Sequence, residues 1–324
     1  MTTPIVIDLD YSAIIYLFPD VETLKGQVDA LLFELDDCFD WQTVKPIFLG
    51  VQYTHSAKSL RGCVLGYNIQ DDGQVRCQLK ISSEPLKARS DRFFYGLAVL
   101  DPYFIACTRL DPHLDIQGDY LPILRDSMAE SFYAKNHSGF NRHKPISSHK
   151  WNGDELETKT TFYFGSRDAS TYIRIYDKDN GVVRFEVESK RYKSEHLYRY
   201  LITSVQNNIP EEVFLREMFN QSIAHINFYT DKADKNLNRN EVAPFWSDFL
   251  LLINQSSTRI PSPSLPLTIQ RTLNWLDRQV MTSFAFAREY YGSYFQDYLN
   301  RFLATGLERL SPKQKLLVDM FACV

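Results

Sequence analysis

The chain has 324 residues, of which 44% are apolar and 14% aromatic, and its formal net charge is −4. That length and apolar content exclude a disordered chain and provide a substantial core for one large domain or two smaller ones. The net charge excludes a uniformly basic nucleic-acid coat but leaves room for a local basic surface.

The opening MTTPIVIDLDY places acids where a secretory leader needs a basic segment and then a long apolar one. No apolar run reaches membrane-spanning length, so a soluble cytoplasmic protein is expected. Five cysteines, Cys38, Cys63, Cys77, Cys107 and Cys323, show neither CxxC nor metal spacing, and their odd number suits a reducing compartment. Three of them sit in apolar or alternating runs and read as small buried hydrophobes.

Ile5 to Phe18 reads as a strand, and Val21, Leu24, Val28, Leu31, Leu32, Leu35 and Phe39 then follow helical spacing through a segment rich in carboxylates. Pro46 to His55, Gly62 to Ile69 and Gln74 to Ser82 read as strands separated by turn residues. A helix is predicted from Glu84 to Leu97, then a strand ending in TRLDPHLDI, then a helix from Tyr120 to Tyr133. Lys135 to Lys150 follows as a basic loop, with Lys135, Arg142, Lys144 and Lys150, three histidines and no acid. It is a candidate contact for phosphates, with a solvated surface loop as the plain alternative.

Thr160 to Lys190 reads as strands around Asp179-Asn180-Gly181. Side chains alternate faces along a strand, so register decides which residues meet. A two-residue turn would mix charged and apolar residues on each face. A three-residue loop closed by Gly181 in the left-handed region instead pairs Tyr176 with Arg184, Arg174 with Glu186 and Tyr172 with Glu188. That register leaves one face wholly apolar and gathers a phenol, cations and carboxylates on the other. The competing reading is a solvated face with cross-strand ion pairs.

From about Ser194 strand signals fade and aromatic-rich helical patterns take over. Leu267 to Phe286 and Tyr290 to Leu303 are helix candidates, and Asn254 to Pro266 reads as a linker. Trp246, Trp275, Tyr290 and Phe295 read as packing residues rather than base-stacking platforms. No internal repeat of fixed period stands out. The whole is an α+β pattern, a large mostly antiparallel sheet with flanking helices to about residue 205, then a helical region over 206–324.

In TRLDPHLDI, Arg109, Asp111, His113 and Asp115 alternate onto one face. Carboxylates at that spacing can bind a hard divalent cation, magnesium or manganese, while a strand-end aspartate can equally cap or bend the chain. No histidine-hydrophobe-histidine motif is present, so carboxylates would be the main ligands.

In order along the chain, IDLDYSAIIYLFP, GYNI, QVRCQLKIS, TRLDPHLD, YFGSRDASTYIRIYDK, RFEVESK and TLNWLDRQV resemble the Rep_trans family of plasmid replication initiators. The RIYDK and RFEVESK elements carry the specific part of the match. Pro112-His113 departs from the small apolar residues the family has there, and the turn after Lys178 is shorter than in many relatives.

The resemblance implies a rolling-circle initiator that nicks its plasmid's double-strand origin, with Tyr176 joined to the 5′-phosphate and a 3′-hydroxyl left as primer. It implies a divalent metal held by Asp111 and Glu186, with Glu188 and Asp115 as further candidates. A host helicase and a homodimer are implied partners. A phenol is a weak nucleophile at neutral pH, so Arg174, Lys178 and Arg184 on the face of Tyr176 are expected to stabilise charge during attack. A mobilisation relaxase or integrative-element nickase, or an inactive DNA-binding regulator of copy number, are the alternatives.

Overall fold

Nine strands form one antiparallel sheet in the computed structural model, which describes residues 5–41, 45–118, 120–152, 155–178, 181–253 and 281–308. In chain order the elements begin with β1 (Ile5–Phe18) and α1 (Val21–Phe33). A small separate hairpin, β2 (Ile47–Phe48) and β3 (Gln52–Tyr53), precedes β4 (His55–Lys58), β5 (Val64–Ile69) and β6 (Val75–Ile81). Short helices α2 (Ser83–Lys87) and α3 (Phe93–Val99) lead into β7 (Phe104–Gln117). Helix α4 (Tyr120–Ile123) passes through a π turn into α5 (Ala129–Tyr133). The second set of strands is β8 (His143–Asn152), β9 (Glu155–Phe164), β10 (Thr171–Lys178) and β11 (Val182–Lys190), followed by α6 (Tyr192–Gln206), α7 (Glu211–Ile223) and α8 (Pro244–Leu252). The sheet order is β4-β5-β6-β1-β7-β11-β10-β9-β8, with β1 and β7 paired at its middle.

Period-two alternation gives the sheet one apolar face, and all the helices of this unit that enter its core pack there. Leu65, Cys77 and Ile14 meet Leu24 and Leu31 of α1, Leu97 of α3 and Leu201 of α6. Towards the other edge Ile173 and Phe185 meet Met128, Phe219 of α7, and Trp246 and Phe249 of α8. Phe185 stacks on Phe249 at 4.5 Å, and Trp246 is fully buried as expected. Cys63, Cys77 and Cys107 are buried, and Cys323 lies outside the described residues.

The register of β10 and β11 is the one the alternation argument selects: Tyr176 faces Arg184, Arg174 faces Glu186 and Tyr172 faces Glu188. Gly181 closes the turn at φ +70, while Asp179 and Asn180 lie outside the described residues.

Several local expectations are corrected. The segment from Lys135 is not all loop, because His143–Asn152 is the edge strand β8, paired along its length with β9. Its polar, charged sequence suits a sheet edge, where apolar side chains would invite pairing with another chain. The helix expected over Glu84 to Leu97 breaks in two, because Ser90 donates its backbone N–H to the Glu34 carbonyl at 2.7 Å and Arg89 turns inward to Asp8 at 2.8 Å. Helix α1 stops at Phe33 rather than Phe39, with Asp36 in the left-handed region at φ +50. Pro46 to His55 is a tight hairpin and a corner rather than one strand.

The first compact unit runs from Met1 to Ser262, because α7 and α8 complete the core under the sheet, and the second from Pro263 to Val324. In the second unit, Met281–Tyr291 and Phe295–Glu308 are helical. Tyr290 is 76% exposed with the Tyr291 ring edge-on at 5.1 Å, so it is not the packing residue expected from sequence. Trp275, the linker expected over 254–266 and the TLNWLDRQV segment lie outside the described residues.

Candidate active site

The face of the sheet opposite the helices carries the acidic strand and the polar side of the hairpin, brought together because β11 pairs with β7. Glu186 sits across from His113 and Arg184 across from Asp115. Pro112 has no N–H to give a ladder, and the β7–β11 pairing is interrupted between Glu186↔His113 and Ser189↔Leu110. On the other flank Pro112 meets Leu9, beside a bulge between Leu9 and Tyr11. The bulged residue is Asp10, and the bulge aims its carboxylate at Arg184, 2.7 Å away.

Asp111 is fully buried and held by Arg109, whose Nε donates to it at 2.8 Å. The same guanidinium reaches Glu188 at 2.9 Å and lies over the Tyr11 ring at 4.4 Å. Burial outweighs the pull of Arg109 and, with the nearby charges of Glu186 and Glu188, pushes the Asp111 carboxyl up to about 8. Burial also raises Glu186, which is ion-paired with Arg174. Lys190 also pairs with Glu188, so three carboxylates share this space with Arg109, Arg174 and Lys190, and burial still raises Asp111 and Glu186.

Tyr176 donates a long hydrogen bond, 3.4 Å, to Oε2 of Glu186. Burial and the Glu186 charge push its phenol up to about 12, so the protein as it stands holds the neutral form. Arg184 faces it from the partner strand but is tied to Asp115 by two bonds of 2.6 and 2.8 Å and to Asp10. Lys178 also goes to Asp115, at 3.1 Å. Burial raises Asp115, but Arg184, His113 and Lys178 outweigh it and leave its carboxyl below the ordinary range. His113 is buried with Nδ1 unpartnered, and burial and then Arg184 lower it to about 4. Tyr172, the second candidate nucleophile, is 4% exposed and stacked on Tyr163 at 5.7 Å.

The structure thus gathers Tyr176, Arg174, Arg184, Lys178, Asp111, Asp115, Glu186 and Glu188 on one face. It also adds Asp10, Tyr11 and Arg109. The acidic alternation of IDLDY was visible in sequence, but only the β1–β7 pairing shows what it meets. Among the described residues no three His, Cys, Asp or Glu side chains are already arranged as a metal's ligands, since Arg109 and Arg174 lie against the carboxylates. The basic candidates stand apart on the edge beyond β9. Lys135 and Arg142 are exposed, Lys144 lies over the Tyr163 ring at 5.6 Å, and Lys150 is on β8. No described helix is long and apolar enough to cross a membrane.

A solved structure titled as a rolling circle replication initiator protein from Geobacillus stearothermophilus is similar to this chain, with a TM-score of 0.58 at 18% identity. The likeness covers 79% of this chain and all of that one, and it shows the fold. None of the curated proteins matches the chain. The replication initiation factor family, Rep_trans, matches residues 105–303, which take in β7, the hairpin and the helices that support them. The chain belongs to that family of replication initiation factors.

Proposed function

We propose that this initiation factor nicks one strand of a plasmid double-strand origin through Tyr176 and later religates it, by rolling-circle chemistry. The observation that supports this most is the setting of Tyr176: a phenol hydrogen-bonded to Glu186, beside Arg174, at the rim of a buried carboxylate cluster. In the forward step the Tyr176 Oη–phosphorus bond forms as the bond from phosphorus to the 3′-oxygen breaks. The phenolic proton passes towards Glu186, whose raised pKa makes it a competent acceptor. The 3′-oxygen leaves as a hydroxyl after taking a proton. The phosphotyrosine keeps the bond energy, so attack by a 3′-hydroxyl reverses the sequence and reseals DNA.

The donor set fits a hard divalent cation, magnesium or manganese: Asp111, Glu186 and Glu188 are carboxylates now held by Arg109, Arg174 and Lys190, and His113 has a buried, unpartnered Nδ1. Such an ion supplies positive charge to the phosphoryl oxygens and favours the phenolate. Arg174 orients Glu186 against Tyr176. Arg184, locked by Asp115 and Asp10, holds the strand face rigid under the nucleophile, with Asp115 as its anchor.

Tyr176→Phe, incubated with an origin oligonucleotide and magnesium or manganese, is expected to bind as the parent does and form no covalent adduct. An adduct that persists in Tyr176→Phe would move the nucleophile elsewhere. Parent protein that binds the origin and never forms an adduct would make the chain a regulator rather than a nickase.

A further inference from the structure

The two sides of the sheet repeat one another. The run β1, α1, β4, β5, β6 starts at the centre, crosses outward and returns strand by strand to its starting strand, as β7, α4, β9, β10, β11 does, with the mirror-image neighbour order β4-β5-β6-β1 and β7-β11-β10-β9. Both inner hairpins span three residues, the last a glycine at positive φ. Gln70 meets Gln74 across a loop ending in Gly73 at φ +86, and Lys178 meets Val182 across a loop ending in Gly181 at φ +70. Each glycine is followed within three residues by Val-Arg, Val75-Arg76 on β6 and Val183-Arg184 on β11.

Register then fixes equivalent positions. Arg76 takes the place of Arg184, Gln78 of Glu186 and Lys80 of Glu188, while Asn68 takes that of Tyr176 and Gly66 that of Arg174. On the central strands Ala13, Ile15 and Leu17 stand where Asp111, His113 and Asp115 do. Four carboxylates, a histidine, a phenol and two guanidinium groups on the catalytic side correspond to two cations and no acid on the other.

The nucleophile's counterpart is spent on structure. Asn68 accepts the Thr54 N–H at 2.7 Å and donates to the Gln52 carbonyl at 3.2 Å, and the Tyr53 ring occupies the space a side chain at Gly66 would need. The cations are not spent on acids. Arg76, whose guanidinium lies beside the Tyr53 phenol, and Lys58 are exposed and Lys80 is half-buried, with no acidic partner among the described residues for Lys58, Arg76 or Lys80. Lys80 and Arg109 pair with Ala13 from its two sides, so this basic surface abuts the catalytic cluster.

We propose that the N-terminal half of the sheet is a degenerate counterpart of the nicking half, and that Lys58, Arg76 and Lys80 hold the phosphates of the same DNA without cutting it. This rests on the nicking reading of Tyr176 only for what the DNA is. Phosphate contacts position a nucleic acid and make its binding depend on salt.

The test compares the full chain with Lys58→Ala/Arg76→Ala/Lys80→Ala, both carrying Tyr176→Phe, for binding to origin DNA across a salt series. The expected result is affinity lower by about tenfold and a salt slope reduced by roughly 2 for a single strand or nearer 3 for a duplex, which also tells which form the surface holds. Lys58→Ala/Arg76→Ala, confined to exposed positions, should show a proportionate part of the effect. In the Tyr176-containing background, adduct formation on a short oligonucleotide spanning only the nick should be unchanged. Unaltered affinity and slope would overturn the proposal. Loss of adduct on the short oligonucleotide, with the fold intact by circular dichroism, would also overturn it by making these cations part of the nicking site. Absence of an adduct from the parent, with the salt effect present, would instead sink the nicking reading and leave the subsite standing.

Discussion

Hairpins β5–β6 and β10–β11 each span a three-residue loop that ends in a glycine at positive φ, yet β10–β11 carries the proposed nucleophile among paired acids and β5–β6 carries exposed cations. The contrast shows that the scaffold is set by what the apolar face and the turn glycine demand, and the chemistry by what the other face can carry. On the acidic side the buried charge is costly. Charged groups taken out of water are tolerated only when paired, and Arg184 is 4% exposed between Asp115 and Asp10. Arg76, at the matching position, stays in solvent.

The comparison is sharpest at those two arginines. Removing Arg184 takes the partner from Asp10 and leaves Asp115 with Lys178 alone, and a destabilisation of about 3–5 kcal/mol is expected for Arg184→Ala. Arg76→Ala should change stability by no more than about 0.5 kcal/mol. Urea denaturation of the two variants beside the parent measures both. Similar costs at the two positions would mean that the acidic side is no more dependent on its ion pairs than the basic side.

Half of this contrast was legible in the sequence. The register of β10–β11 followed from alternation alone, because only one pairing separates Ile173, Ile175 and Phe185 from Arg174, Tyr176 and Glu186. The roles of Asp10 and Tyr11 were not legible, since they depend on a bulge and on pairing between strands about a hundred residues apart. The edge strand β8 was hidden because His143 to Asn152 has the polar composition of a loop, and an edge needs little apolar content. The repeat was not legible because the two halves share a glycine-ended three-residue loop and apolar spacing while their polar faces differ at almost every position.

A second prediction uses the charge imbalance. Burial holds Asp111 at about 8 against an ordinary value of 3.8, so folding favours its protonated form. The stability this group contributes is complete below about 4 and is lost as pH rises to about 8. In chelator, the melting temperature of the parent should therefore fall across that window, and Asp111→Asn should flatten the fall. Magnesium or manganese added at pH 8 should raise the melting temperature of the parent by several degrees through binding to the folded state. No counterpart of this pH dependence is expected from the N-terminal half, where Ala13 stands in the place of Asp111. A melting temperature that is flat with pH and indifferent to both ions would remove the carboxylate cluster as a metal site.

The smallest expected effect tests whether the hairpins are alike as scaffolds. Gly73 and Gly181 have φ of +86 and +70, and a Cβ added at either meets no atom within 4 Å. The cost of alanine there is backbone strain alone, roughly 1–2 kcal/mol at each. Gly73→Ala and Gly181→Ala should thus lower stability equally, and asparagine, which tolerates the left-handed region, should cost less at both. Their effects on nicking should diverge. Gly181 lies five residues beyond Tyr176 and three before Arg184, so relaxing its turn shifts the pairing that sets the nucleophile against Glu186. Gly73→Ala perturbs a turn whose neighbours are Asn68 and Arg76, and adduct formation on a short nick-spanning oligonucleotide should persist at the parent's rate. If Gly73→Ala slows that reaction as much as Gly181→Ala does, at equal stability, the N-terminal half takes part in the chemistry and the division between a cutting half and a holding half fails.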